Sequence, residues 1–125
     1  MPSSEEEKVS NLHHALRAPR RRHVVWLLHR SQEITLTTRE LAREIAAMEQ
    51  FVAPSHATGE PYRNVYNALS QTHLPTLAEA DIVIYDPERQ RVSRGPNLLI
   101  AAVVSAVNEA AIDAVLRDTR VSPRR

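Results

Sequence analysis

The 125-residue chain has ordinary globular composition, with 42% hydrophobic and 25% charged residues, and room for one compact domain plus an additional helix. Cysteine is absent, which excludes disulfides, thiolate metal sites and cysteine nucleophiles. The net charge is +1, and 15 of the 16 basic residues are arginine, which binds phosphate and guanine edges bidentately. Genomic codon bias is the simpler explanation of the arginine excess taken alone. The N-terminus is acidic where a signal peptide would be basic and then apolar, so we expect a cytoplasmic protein.

The first third of the chain predicts two helices. Ser4 and Glu7 have capping-box spacing and begin a short helix, and residues 1–18 form this N-terminal element. Pro19 suits the first turn of a second helix, which is rich in arginine. That helix is apolar on two faces, which is typical of a helix buried between two partners. One face carries Val24, Leu27 and Leu28, and the other carries Val25 and Trp26.

The middle of the chain predicts a short strand over residues 34–36 and then a capped helix. Thr37 is placed as its N-cap, with Glu40 completing a capping box. Residues 51–60 contain a proline and a glycine and predict a loop. A further helix begins at Pro61, and Pro75 should kink or divide it because proline lacks an amide hydrogen.

Residues 82–85 and 90–93 predict two short strands joined by a turn, and a long apolar helix follows. The element order is typical of a mostly α, α+β fold, the winged helix-turn-helix, with a long C-terminal dimerisation helix. We therefore expect a DNA-binding domain over residues 19–95, a dimerisation helix over residues 96–118 and a flexible tail over residues 119–125.

Three segments carry a family resemblance: ALRAPRRRHVVWLL, TLTTRELAREIAAME and YRNVYNALSQTHLPTLAEADIVIYD. Together they resemble an uncharacterised winged-helix family of halophilic archaea, over roughly residues 12–92. The resemblance implies a transcriptional regulator. Two features depart from it. The charge is nearly neutral rather than acidic, which leaves a viral or plasmid origin open, and Asp81 stands where related repressors have glycine.

The outward face of the third core helix predicts base readout in the major groove. Arginine pairs with guanine, and asparagine or glutamine with adenine, through two hydrogen bonds each. A solvated helix face is the alternative, which the capped helix and the hairpin on either side disfavour. The candidate residues on this helix are Arg63, Asn64, Asn67, Ser70 and Gln71.

The proposed hairpin carries Arg89, Arg91 and Arg94, which suit phosphate contacts that position a protein without reading sequence. Residues 20–22 are also arginines, and two explanations stay open for them. They either touch DNA or pair with Glu40, Glu44 or Glu49.

We expect no enzyme, cofactor or metal site. The six histidines show no metal-ligand spacing, two glycines exclude a glycine-rich phosphate loop, and no nucleophile–base pair is visible. His73 is expected to hydrogen-bond the backbone that Pro75 leaves unpaired.

The final helix is too apolar to stay exposed on a small monomer, which predicts a homodimer. Three polar residues, Asn108, Glu109 and Asp113, make it a poor membrane span. The expected interface is Trp26 together with Leu99, Val103, Ala106, Val107, Ala110 and Ala114.

The resulting hypothesis is a sequence-specific, dimeric regulator that binds double-stranded DNA. Its two recognition helices should lie about 34 Å apart, so that each enters one of two successive major grooves. Two alternatives remain. The same outer face binds another protein, which the acidic residues Glu79, Asp81, Asp86 and Glu88 favour, or the last helix tethers a regulator to a membrane.

Overall fold

A computed structural model describes residues 4–121, with side chains described through residue 118. It confirms a mostly helical α+β chain with one small antiparallel sheet. The elements are α1 (Glu5–Ala15), α2 (Pro19–Arg30), β1 (Thr35–Thr37), α3 (Thr38–Gln50), α4 (Gly59–Ala68), α5 (Leu74–Glu79), β2 (Val83–Asp86), β3 (Arg91–Arg94) and α6 (Leu98–Val121). The predicted tail begins too early, because α6 includes its first three residues. Residues 122–125 lie outside the described part.

Local capping fixes where α1 and α3 begin. The Ser4 hydroxyl accepts a hydrogen bond from the Glu7 amide at 3.1 Å. At α3 the capping box is complete: the Thr37 hydroxyl accepts from the Glu40 amide, and the Glu40 carboxylate accepts from the Thr37 amide. These three bonds satisfy amides that have no hydrogen-bond partner within their own helix. The predicted start of α3 is confirmed.

The sheet has the strand order β1–β3–β2, and both pairings are antiparallel. Each strand starts one residue later than the sequence pattern predicts. Leu36 pairs with Val92, and Val92 pairs with Tyr85, so these three side chains share one face of the sheet. Val92 is fully buried, which identifies this face as the one packed on the helices.

Pro75 divides the predicted fourth helix as expected. A π-helical turn over Leu69–His73 connects α4 to α5. The wider turn fits the missing proline amide, since one rung of the α-helical ladder cannot form there. The Thr76 hydroxyl donates to the Thr72 carbonyl at 2.7 Å across this junction. The chain stays helical while Leu69, Leu74 and Leu77 remain in the core.

Gly95 allows the end of β3 to approach the end of α5. A Cβ atom at this position would lie 2.5 Å from the carbonyl oxygen of Asp81. Asp81 itself has a left-handed backbone, with φ of 59°, a conformation that glycine adopts most readily. The Asn97 side chain donates to the Ala80 carbonyl at 3.0 Å and joins the start of α6 to the same corner.

The core lies between the helices and the inner face of the sheet. Helix α6 belongs to it only at its beginning, where Leu98 and Ala101 are buried. Every described residue from Ala106 to Asp118 is exposed. The first part of α6 packs on α2, and the rest projects beyond the core.

Candidate nucleic-acid interface

Helix α4 presents a polar face that the core leaves uncovered. Val65 is buried against α3, whereas Arg63, Asn64 and Asn67 are exposed. Their spacing of one, three and four residues places them on one side of the helix. The structure therefore brings three of the five predicted base-reading residues together.

Glu60 extends the same face and was missed in the sequence analysis. It is exposed and precedes Arg63, Asn64 and Asn67 by three, four and seven residues. The helix begins at Gly59, two residues earlier than predicted, so the periodicity could have been extended to include Glu60. An acid in the first turn also suits the positive end of the helix dipole. The face is therefore a mixed donor and acceptor surface.

Ser70 and Gln71 lie in the π turn rather than on α4. The Ser70 side chain is half-buried, and its hydroxyl donates to the Asn67 carbonyl at 3.3 Å. Gln71 is exposed. The π turn shifts the helical phase after Ala68, so these two residues do not simply continue the Arg63–Asn67 stripe.

The hairpin between β2 and β3 is closed by the side chain of Asp86. Its carboxylate accepts hydrogen bonds from the amides of Glu88 and Arg89, at 3.1 and 3.2 Å. This local bonding is the reason an aspartate suits the turn. Arg89 and Arg91 are both exposed beside it. Glu88 is exposed at the tip, so the hairpin carries both signs of charge.

Gln90 fastens the hairpin to the helices. Its side-chain oxygen accepts from the Thr38 hydroxyl at 2.7 Å and from the Tyr85 hydroxyl at 3.0 Å. The Tyr85 hydroxyl also lies 3.4 Å from the Ser70 carbonyl. Burial of the Tyr85 ring raises the pKa of its hydroxyl, which keeps it neutral as a donor. The turn, the start of α3 and the π turn are thus held in one arrangement.

Arg94 points its guanidinium toward α2. Its Nε donates to the Leu28 carbonyl at 3.1 Å, and its Nη2 donates to the Ser31 carbonyl. These carbonyls lie at the C-terminal end of α2, where cations are favourable. Arg94 therefore ties the sheet to α2 and is not grouped with Arg89 and Arg91.

The three arginines at the start of α2 have internal partners. Arg20 forms a bidentate ion pair with Glu49, at 2.7 and 2.9 Å. For this arginine, pairing with a glutamate is therefore the alternative that the structure supports. This hydrogen-bonded contact raises the pKa of Arg20 and lowers that of Glu49. Arg22 donates to the carbonyls of Leu16 and Arg17, both at 2.8 Å.

Arg21 is buried between α1 and the π turn. Its Nε donates to the Ala15 carbonyl at 2.6 Å and its Nη2 to the His14 carbonyl at 3.3 Å. Its Nη1 lies 3.2 Å from His73 Nδ1. The predicted bond from His73 to the backbone beside Pro75 is not found; the ring contacts Arg21 instead. Burial first, and then the charges of Arg21 and Arg20, lower the pKa of His73, so its neutral form can accept from Arg21.

The predicted dimer residues lie along α6 and on the adjacent face of α2. Trp26 is 50% exposed and Val103 is 52% exposed. The other predicted residues of this set are also exposed: Leu99, Ala106, Val107, Ala110 and Ala114. The Arg30 guanidinium covers one face of the Trp26 ring, 4.5 Å from its centroid. The stripe is therefore open to solvent in the single chain.

A groove of about 620 Å³ runs between α2 and α6. Its lining includes Trp26, His29, Val103, Ala106 and Glu109. Within the described residues, the segment Leu98–Asp118 is also long and apolar enough to cross a membrane. Only 11% of its most apolar 18-residue stretch is buried in the protein. Length and composition alone do not distinguish a span from an interface helix.

No group of three or more histidine, aspartate or glutamate side chains is placed to hold a metal ion between residues 4 and 118. The chain belongs to the family described as Domain of unknown function (DUF7344), whose model matches residues 13–93. No curated protein and no solved structure matches it.

The DUF7344 match extends from α1 into β3 and stops before α6. It therefore covers the polar face of α4 and most of the hairpin, whereas the apolar helix lies outside it. The family carries no assigned activity, so the resemblance to winged-helix regulators stays a prediction.

Proposed function

We propose that this DUF7344 protein is a cytoplasmic, non-catalytic winged helix-turn-helix regulator of transcription that binds double-stranded DNA as a homodimer. The element order α2–β1–α3–α4–α5–β2–β3 and the strand order β1–β3–β2 support the winged-helix interpretation. The connection between α3 and α4 is eight residues long, which is longer than the three- or four-residue turn usual between the two helices of a helix-turn-helix. The observation that carries the proposal is the polar face of α4, where Arg63, Asn64 and Asn67 are exposed between a capped helix and a hairpin.

The chemistry of this face suits the edges of bases in the major groove. Arg63 can donate two hydrogen bonds to guanine, and Asn64 or Asn67 can exchange two with adenine. Each good pair contributes about 1–3 kcal/mol of discrimination between bases. Because α4 is held by α3 and by the π turn, these side chains project from a rigid support.

Arg89 and Arg91 would contact phosphates from the hairpin. The Gln90 hydrogen bonds hold this hairpin against the start of α3, so its distance from α4 is fixed before DNA arrives. Such contacts set the position of the protein and make affinity depend on salt. Arg94 is left out of the proposed surface because α2 carbonyls engage its guanidinium.

The proposal is tested by selecting bound sequences from a random duplex library with the full chain. We expect an inverted repeat with half-sites about 10 base pairs apart. Arg63→Ala and Asn67→Ala should each lose about 1–3 kcal/mol of preference for the selected sequence. Arg17→Ala, which removes the same charge from an exposed position between α1 and α2, is the matched control.

Two results would contradict the proposal. One is the absence of any enriched sequence. The other is a dimer in which the two copies of Asn67 face each other or are covered by the partner, since neither helix could then enter a groove.

A second candidate function is docking on another protein through the same face. It is favoured by Glu60 and Glu88, exposed acids that would lie near phosphates in a DNA complex. Failure of duplex binding together with retained folding would favour this function over the first.

A further inference from the structure

The two halves of α6 share one face but have different surroundings. Leu98, Ala101 and Ser105 fall on the side of the helix that packs toward the core. Counting 14 and 18 residues on from Leu98 returns to the same side at Ile112 and Leu116. These two residues are 60% and 55% exposed. The face that α2 covers in the first half therefore continues, uncovered by α2, into the second half.

Two side chains that line the groove between α2 and α6 have buried polar atoms without a hydrogen-bond partner. Among the described residues, two buried side-chain polar atoms lack a hydrogen-bond partner, His23 Nδ1 and Ser105 Oγ. Both residues line this groove. Buried polar atoms are nearly always paired in folded proteins, so these two make the contact between α2 and α6 the least satisfied part of the described core.

The charges of the two surfaces are also complementary. Arg22, His29 and the nearby Arg30 give the α2 side of the groove a basic rim, whereas Glu109 lines the α6 side. The projecting half of α6 carries three acids, Glu109, Asp113 and Asp118, against the single base Arg117 among its described side chains. Arg117 is itself paired with Asp113 one turn away. An acidic, apolar helix is the occupant that fits a basic, apolar groove.

We propose that the groove of one copy receives residues 107–118 of α6 from a second copy, and that the exchange is reciprocal. This proposal rests on the homodimer proposed above and specifies its interface. Ile112 and Leu116 would pack near Trp26 and Val103 of the second copy, and the acidic side would lie along its α2. The contact joins unlike surfaces, so each dimer contains two copies of it, related by a two-fold axis.

The arrangement predicts a spectroscopic signal, because Trp26 is the only tryptophan in the chain. Its ring is half-exposed in one chain and would become covered in the dimer. On dilution of the full-length protein, the emission should shift to longer wavelength. The midpoint of this shift should coincide with the dimer-to-monomer midpoint from sedimentation.

Two substitutions test the two sides of the contact. Leu116→Glu alters the projecting helix, and Trp26→Glu alters the groove; both side chains are half-exposed, so the core is kept. Each should raise the dimer dissociation constant by about 100-fold or more, since two contacts are lost per dimer. Ile34→Glu is the matched control, because Ile34 is 80% exposed just before β1 and lies outside both surfaces.

Mixing the two variants provides the decisive measurement. In a mixed dimer, the intact helix of the Trp26→Glu copy can enter the intact groove of the Leu116→Glu copy. We expect the mixture to dimerise more tightly than either variant alone. Only the Leu116→Glu copy contains tryptophan, so its emission should move to shorter wavelength on mixing.

Three outcomes would overturn the proposal. If Trp26→Glu stays dimeric while Leu116→Glu does not, the copies pair through α6 alone, and the homodimer survives without this groove contact. If the intact chain is monomeric, both proposals fail. If it binds phosphatidylcholine vesicles without dimerising, the occupant is a membrane. A dimer with complementation but no DNA binding would retain this interface while removing the proposed regulator.

Discussion

Two sets of three arginines occupy opposite environments in this protein. At the start of α2, residues 20–22 are engaged with Glu49, His73 and carbonyls around the end of α1. On α4 and the hairpin, Arg63, Arg89 and Arg91 are exposed. The densest run of positive charge in the sequence therefore holds helices together, and the dispersed arginines of α4 and the hairpin remain exposed. Local charge density is a poor guide to a binding surface when internal carbonyls and acids compete for the same side chains.

Arg21 should contribute to the stability of the fold, and Arg63 to DNA binding. Arg21→Met removes donors from the buried Ala15 carbonyl, the partly buried His14 carbonyl and the His73 ring. We expect the free energy of unfolding to fall by about 2–4 kcal/mol, since unpaired buried carbonyls are costly. Arg63→Met should change it by less than about 0.5 kcal/mol, as surface substitutions usually do.

Urea denaturation measures both values, and duplex titration of the folded fraction completes the test. Arg21→Met should leave DNA affinity unchanged, whereas Arg63→Met should lower it. Equal effects of the two variants on stability would contradict the assignment of Arg21 as a structural residue.

Glu60 places an exposed acid beside Arg63 on α4, so its effect on DNA binding can be measured separately from that of the arginine. A glutamate accepts from cytosine N4, and it also repels phosphate. Glu60→Gln should therefore alter the preference at one base position by about 1–3 kcal/mol and strengthen binding to random duplex. Glu33→Gln removes an exposed acid near the start of β1 and is the control. If neither quantity changes, Glu60 lies outside the DNA contact.

Arg91 tests the hairpin with a smaller effect. A phosphate contact contributes to specific and random duplexes alike, so Arg91→Ala should weaken both by the same factor. The slope of log affinity against log salt should become less steep by about 0.9, the value for one lost phosphate contact. Binding isotherms at four salt concentrations provide the slope. A change confined to the selected sequence would instead make Arg91 a base-reading residue.

Local signals in the sequence predicted local structure well. The capping box at Thr37 and Glu40, the break at Pro75 and the hairpin turn all depend on residues within five positions of each other. The predicted limits of the strands differ from the observed ones by one residue, because a strand begins and ends where its neighbour pairs with it. The sequence of one strand alone does not show that pairing. The partners of Arg21 and Arg94 lie up to 66 residues away and could not be read from spacing. Glu60 could have been found, since it continues the helical period of Arg63, Asn64 and Asn67.

The smallest expected effect concerns His73, through which the structural set of arginines becomes sensitive to pH. Folding lowers the pKa of His73 below the ordinary histidine value, chiefly because burial disfavours the charged imidazolium and then because Arg21 and Arg20 repel it. Between its folded and unfolded pKa values, the unfolded chain binds more protons, so stability rises with pH and falls on acidification below about 6.5. The lowered pKa of Glu49 adds a further loss, but only at pH values near and below 4.5. Urea midpoints at pH 7.5 and 5.5 should therefore differ less in His73→Gln than in the original protein, because glutamine can accept from Arg21 without titrating. An unchanged pH difference would show that His73 keeps the same protonation state in the folded and unfolded chains.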